Sequence, residues 1–244
     1  MRLTRVYVEE ALATGSNCVI GGSAANHVMR VLRLRDGDAL TLFDGRGGEY
    51  GARIAGFRKD SVQVEVREHR KVERESGLNL TLAQGISRGE RMDWVMQKAT
   101  ELGVARIVPL ITERSVVKLD EKQRERKVEH WRAIVIAACE QSGRNRVPEI
   151  ATPCAFREVL RPDDRAGRKL LLSPLGNLNA RDLALAASEP ATLLVGPEGG
   201  LSEEERDLAV DAGFEQVRMG PRVLRTETAA IAALTILQHD YGDL

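Results

Sequence analysis

The 244-residue chain has little of what metal, disulfide and membrane proteins are built from. Its three cysteines, Cys18, Cys139 and Cys154, are odd in number, far apart and never in CxxC spacing, so neither a disulfide framework nor a zinc site is suggested. The four histidines, His27, His69, His130 and His239, show no HExxH or other ligand spacing, and no catalytic metal is expected. No window approaches the ~20 apolar residues of a membrane span. Met1-Arg2-Leu3-Thr4-Arg5 is not followed by the apolar core of a signal peptide, and a soluble, cytoplasmic protein is expected. The first α/β strand, expected over Leu78–Ala83, is followed by a single glycine, Gly85, rather than GxGxxG, which argues against a dinucleotide enzyme. Net charge is also absent, with 36 basic residues against 36 acidic, so binding to bare nucleic acid by charge alone is not indicated.

What is present is organised. A 43% hydrophobic content is ample for one large domain or two smaller ones. Residues 1–72 hold 12 Lys+Arg against 9 Asp+Glu, and Arg30, Arg33 and Arg35 cluster ahead of the Asp36-Gly37-Asp38 turn. Such a cluster is suited to phosphates, or is simply a solvated face; Arg30 and Arg33 share a side if His27 to Leu34 is helical. Short strands are expected at Arg5–Val8, Ala39–Phe43, Tyr50–Gly56 and Ser61–Arg67, with Val62, Val64 and Val66 alternating against Gln63, Glu65 and Arg67. This describes a small β-barrel or sandwich, and the charged run Arg67–Gly77 reads as a linker.

Beyond it the rhythm becomes strand and helix in turn. Strands are expected at Leu78–Ala83, Ala105–Leu110, Leu170–Ser173, Thr192–Val195 and Gln216–Arg218. Helices are expected at Arg91–Leu102, Glu121–Gln141, Arg181–Ala187, Ser202–Ala212 and Thr226–His239. Such alternation implies a mostly parallel sheet that binds ligands at the C-terminal ends of its strands. Two loops lie at such ends. Leu194-Val195-Gly196-Pro197-Glu198-Gly199-Gly200 runs from a buried strand through glycines into a helix start, where Ser202 and Glu205 have capping-box spacing. Arg218-Met219-Gly220-Pro221-Arg222-Val223-Leu224-Arg225-Thr226-Glu227-Thr228-Ala229-Ala230 leads into the last helix, with Thr226 as its expected N-cap. Arg225 and Glu227 are site residues or a surface ion pair, and Lys98 with Glu101 reads as a structural pair.

These two loops resemble the paired signatures of SPOUT-class RNA methyltransferases. The whole chain is similar to the ribosomal RNA small subunit methyltransferase E family. The likeness extends to His27–Arg33, Arg91–Trp94, Gln97–Val104, Glu113-Arg114-Ser115 and Glu140–Pro148, and leaves the segment after the charged run and the stretch from about Ala151 to Lys169 unmatched. The resemblance implies an α/β protein: a PUA-like RNA-binding β-barrel over 1–72, then a SPOUT domain over 73–244. A trefoil knot and cofactor site are expected within about 170–235. It further implies a homodimer that binds S-adenosylmethionine (SAM) and methylates N3 of a uridine in 16S rRNA of the small ribosomal subunit, without membrane or metal.

The cofactor residues so implied are Leu172, Ser173, Leu194, Val195, Gly196, Pro197, Glu198, Gly199, Gly200, Met219, Gly220, Leu224, Arg225, Thr226, Thr228 and Ala229. Glycines permit close approach of main-chain groups to a bent cofactor, and Leu194, Met219 and Leu224 are candidates to enclose its adenine. Uridine N3 must lose a proton, which calls for a base or for groups that stabilise the uracilate. Arg114, Arg144, Arg225 and Glu227 are the catalytic candidates, with Glu140 and Glu198 as further candidate bases. Arg5, His27, Arg30 and Arg33 are the expected RNA contacts. Methylation of other RNAs at a ribose hydroxyl, and a non-catalytic RNA-binding protein, are the competing readings.

Overall fold

A computed structural model describes residues 4–115, 120–162, 167–186 and 189–244. Two compact units emerge: Met1–Glu75 with Cys139–Val147, and Ser76–Ala138 with Pro148–Leu244.

The first unit is built on β1 (Arg5–Tyr7), β2 (Asn17–Ile20), β3 (Ala39–Phe43), β4 (Glu49–Arg58) and β5 (Ser61–Arg70), in the sheet order β1-β3-β4-β5-β2. β1 runs parallel to β3, and the other pairs are antiparallel. The valine alternation of β5 is a true face: Val62, Val64 and Val66 are buried with Ile20, Leu40, Leu42 and Ile54. β2 escaped the sequence reading because it is four residues long, set between Ser16 and the Gly21-Gly22 pair.

The helix expected over His27–Leu34 is different in kind. α1 (Gly22–Asn26) passes into a π-helical turn at His27–Val31, and Arg33 has φ +52°, a left-handed conformation that ends any helix. Arg30 and Arg33 therefore do not share a helix face. Residues 67–77 are not a simple linker either. β5 continues through Arg70, Glu73 pairs with Arg146, Arg74 with Glu49, and Glu75 with Arg144.

The second unit is a parallel sheet with helices between its strands. It contains β6 (Leu80–Gly85), α2 (Glu90–Glu101), β7 (Arg106–Ile111), α3 (Glu121–Ser142) as far as Ala138, β8 (Glu149–Ile150), β9 (Cys154–Ala155) and α4 (Phe156–Val159). Then follow β10 (Arg168–Leu172), β11 (Leu178–Asn179), β12 (Ala191–Val195), α5 (Glu203–Asp211), β13 (Glu215–Arg218) and α6 (Thr226–Tyr241). The strand order is β11-β13-β10-β12-β6-β7-β8, with β9 also on β7, and every pairing is parallel. Central β12 is buried at all five positions, as a strand covered on both faces requires.

Only a 3₁₀ turn, Ala180–Asp182, forms where a helix over Arg181–Ala187 was expected; Ala187 lies outside the described residues. At the far end, α6 buries Ala230, Ala233, Leu234 and Leu237, an apolar stripe at helical spacing. β13 inserts between β10 and β11, so the short link 173–177 must cross it. The crossing is close: a Cβ on Gly176 would stand 2.7 Å from the Gln216 carbonyl oxygen and 2.9 Å from the Arg218 nitrogen.

Candidate active-site cleft

At the C-terminal ends of β10, β12 and β13, their loops and the start of α6 enclose a cleft of about 650 Å³. That is within the ~300–1,000 Å³ of small-molecule sites. Fourteen of the expected cofactor residues line it: Leu172, Ser173, Val195, Gly196, Pro197, Glu198, Gly199, Gly200, Met219, Gly220, Leu224, Arg225, Thr226 and Ala229. Leu194 does not. It alternates to the other side of β12, 0% exposed, in the core with Ala83, Leu110 and Leu171. Thr228 is exposed and absent from the lining.

The walls depend on glycine in two ways, by close main-chain packing and by positive φ. A Cβ on Gly85 would lie 2.4 Å from the Pro197 nitrogen and 2.9 Å from the Gly196 carbonyl carbon, so the end of β6 touches the loop after β12 directly. Gly200 (φ +68°) and Gly220 (φ +112°) both line the cleft and have open space where a Cβ would stand. The Ser202–Glu205 capping box forms as expected, with Glu205 N–H donating to Ser202 Oγ at 3.2 Å and Ser202 N–H to Glu205 Oε2 at 3.0 Å.

Thr226 is not the N-cap. Arg225 holds that place without a side-chain bond, and Thr226 opens the helix with its hydroxyl turned to the neighbouring loop. It donates to the Gly196 carbonyl at 2.6 Å and accepts from Gln84 Nε2 at 2.9 Å. Gln84, fully buried at the end of β6, also donates to Gly85 O at 3.0 Å. It ties the end of β6 to the loop after β12 and to the start of α6, and no motif marked it.

Charge in the cleft is arranged unevenly. Burial alone would raise the Glu198 carboxyl, but the Arg88 amide and the Arg91 guanidinium, each 2.9 Å from Oε1, outweigh it and hold it below the usual range. Glu198 is therefore a poor base. Glu227 lines the same cleft, and its Oε2 is buried without a hydrogen-bond partner among the described residues. Arg114 Nη1 donates to Gly199 O at 3.1 Å, whereas Arg225 is exposed and has no carboxylate partner among the described residues.

Two catalytic or RNA candidates have structural work instead. Arg144 lies in the first unit, 4% exposed and paired with Glu75. Arg5, 9% exposed, binds Glu49, the Arg144 carbonyl and Asn145 Oδ1, so it is not presented to a partner. Glu140 accepts the Tyr7 amide at 3.0 Å in the first unit; burial raises its carboxyl, against the lowering influence of that amide and of nearby His27 and Arg5. Within that unit His27, Arg30 and Arg33 are exposed.

Sequence reasoning overlooked Pro174, Leu175, Arg91, Arg206, Arg222 and Val223 in the lining. Leu175 and Val223 are 72% and 80% exposed, unusual for large apolar side chains. The signal was available for the first two: Ser173-Pro174-Leu175-Gly176 is a turn at a strand's C-terminal end, like the two loops that were read.

A parallel sheet with a glycine-built cleft at its strand ends, in a chain that also carries a separate β unit, defines a class. A family model described as an RNA methyltransferase domain matches residues 74–238, and one described as an RNA methyltransferase PUA domain matches residues 20–67. The chain belongs to the ribosomal RNA small subunit methyltransferase E family. The Bacillus subtilis protein of that name is 33% identical over 98% of this chain and 94% of its own length. A Legionella pneumophila methyltransferase solved with SAM bound is 44% identical, with a TM-score of 0.96 and full coverage of both chains. A family member from Neisseria gonorrhoeae, also solved with SAM, is 38% identical at a TM-score of 0.91, again with full coverage of both chains.

Proposed function

We propose that the chain is a SAM-dependent 16S rRNA (uracil-N3)-methyltransferase that works in the cytoplasm as a homodimer on the small ribosomal subunit. The observation that carries the reading is the cleft itself, in which two glycine-bearing loops converge with Arg114, Arg225 and Glu227. The SAM-bound relatives support the cofactor, and the residues here fit it: the lining is mixed apolar and main-chain, and Gly200 and Gly220 leave room where side chains would intrude.

When bound, SAM supplies a methyl group on a positively charged sulfonium, so the demand on the protein falls on the acceptor. Glu227 takes the N3 proton, its Oε2 being buried in the cleft lining with no hydrogen-bond donor among the described residues. Arg225 and Arg114 face the negative charge left on the uracil ring, and their charge is worth more in a cleft than in open water. Gly196, Leu172, Met219 and Leu224 form the cofactor's walls. Arg144 acts from the first unit by bracing residues 139–147 against Glu75.

Residues 1–72 serve as the PUA-like, barrel-type RNA domain, with His27, Arg30 and Arg33 as its exposed contacts. Contacts of this kind position RNA without choosing the base. The β13 insertion under the link 173–177 supports a trefoil knot, an exception to the rule that chains avoid threading.

The test is methyl transfer from labelled SAM to small subunits purified from cells lacking this protein, with nucleoside analysis. Recovery as 3-methyluridine is expected. Recovery as a ribose-methylated nucleoside, or label only on other RNAs, would overturn the reading.

A further inference from the structure

The start of α5 makes one hydrogen bond that helix capping does not call for. A capping box uses the N3 side chain to accept one main-chain amide, and glutamine serves there as well as glutamate. Here Glu205 Oε2 accepts the Ser202 amide at 3.0 Å, while Oε1 accepts the amide N–H of Glu113 at 2.8 Å, 92 residues away in sequence. Glu205 is 7% exposed, so both oxygens are satisfied by protein donors in a setting where an idle one would be costly.

Glu113 and Arg114 are the two central residues of a turn that follows β7. The turn is closed by Ser115 N–H to Thr112 O and by Thr112 N–H to Ser115 Oγ, each at 3.0 Å. Its second central residue, Arg114, lines the cleft and reaches Gly199 O at 3.1 Å. The fit is close: a Cβ on Gly199 would stand 3.2 Å from the Arg114 Cβ. One carboxylate therefore fixes the helix that follows the glycine loop and, with its other oxygen, the turn whose arginine leans on that loop.

We propose that Glu205 is a positioning residue for methyl transfer: by holding the Glu113 amide it keeps the Arg114 guanidinium against Gly199 and directed into the cleft. This rests on the assignment of the cleft as the methyl-transfer site. Glu205 touches neither substrate nor cofactor in this scheme and acts only through Arg114.

The test uses the full-length chain as Glu205→Gln, Ser202→Ala, Arg114→Ala and the Glu205→Gln/Arg114→Ala double variant. Melting temperature, SAM affinity by calorimetry, and kcat and KM on small subunits are measured for each. Glu205→Gln keeps one acceptor for the cap and loses the second, and is expected to lower kcat about 10- to 100-fold, the scale of a misplaced catalytic group. SAM affinity stays within about 2-fold, because the cofactor walls are unaltered. Ser202→Ala removes the other half of the cap and leaves the Glu113 bond, so it lowers the melting temperature and spares kcat. The double variant is expected to be no slower than Arg114→Ala alone.

If Glu205→Gln proves too unstable to assay, Glu113→Pro deletes the donor from the other side, at a turn position that proline favours, and is expected to give the same loss. Multiplied losses in the double variant, or equal kcat losses in Ser202→Ala and Glu205→Gln, would overturn the proposal. Full activity in Arg114→Ala would overturn it together with the role given to Arg114, whereas a loss in Arg114→Ala alone would overturn only the part given to Glu205.

Discussion

Replacing Thr226 with valine keeps its shape and removes only a hydroxyl, which isolates the link between the two loops of the cleft. That hydroxyl donates to Gly196 O at 2.6 Å and accepts from Gln84 Nε2 at 2.9 Å, with Thr226 and Gln84 both buried. Each abandoned buried polar group costs ~1–3 kcal/mol. Neither is wholly abandoned here: Gln84 Nε2 keeps Gly85 O at 3.0 Å, and Gly196 O keeps a long contact to Gln84 Nε2 at 3.4 Å. The expected loss therefore lies low in the range, about 1–2 kcal/mol in all. For a chain of this size that lowers Tm by about 2–8 °C. Thr226 stands between Arg225 and Glu227 in the cleft lining, so SAM binding weakens by about 5- to 30-fold if the whole loss is felt there. Calorimetric melting and SAM titration of wild type, Thr226→Val and Thr226→Ser are the assay, and serine is expected to restore both properties. A valine variant that melts and binds as wild type does, or a serine variant as impaired as valine, would refute the reasoning.

Gly85→Ala places a Cβ against main-chain atoms of Gly196 and Pro197, and overpacking of this sort costs about 1–3 kcal/mol or more. It should lower both Tm and SAM affinity, whereas Gly56→Ala, whose Cβ meets only Gln63 Oε1 at 3.6 Å, should lower neither. Burial would raise the Glu49 carboxyl, but Arg74 and Arg5 outweigh it and hold it below the usual range. A depressed folded value means the stabilisation is complete above the unfolded value and is lost as pH falls through the folded one, so Tm should drop with acid below about pH 5, and less steeply in Glu49→Gln. Burial pushes the Cys139 thiol up to about 12, so alkylation at pH 8 should modify Cys139 only after unfolding, and rapid native-state labelling would contradict its packing.

Legibility in the sequence followed the range of the interactions. The Leu193–Val195 strand, the glycine loop and the Ser202–Glu205 cap depend on neighbours within a few residues, and all three were readable before any coordinate. The N-cap of α6 was misplaced by one residue because Thr226 spends its hydroxyl on Gly196, thirty positions away. Leu194 looked like a cofactor residue because the loop motif begins there. The strand's alternation turns it into the core beside Val195, which does reach the cleft. Arg144 was read as catalytic from its likeness to the family's sequences, but its partner Glu75 is 69 residues away and no local pattern announces the pair. Gln84 and the second oxygen of Glu205 carry no motif at all, since their partners, Thr226 and the Glu113 amide, lie 142 and 92 residues away.

The same distinction bears on how a chain of zero net charge handles a polyanion. Counting arginines gives no surplus, yet the arginines are not equivalent. In the first unit Arg5 and Arg74 are bound to Glu49, Arg144 to Glu75 and Arg146 to Glu73, so their charge is spent inside the fold. Arg30, Arg33 and Arg35 of the same unit, and Arg222 and Arg225 of the cleft, have no carboxylate partner among the described residues and are exposed. Cations are thus left available in both places, which the formal count of zero net charge does not show. Binding of this kind depends on a shaped surface more than on total charge, and it predicts a shallow salt dependence for engagement of the small subunit, with few counterions released. A steep loss of affinity between low and moderate salt, of the size that many phosphate contacts produce, would count against it.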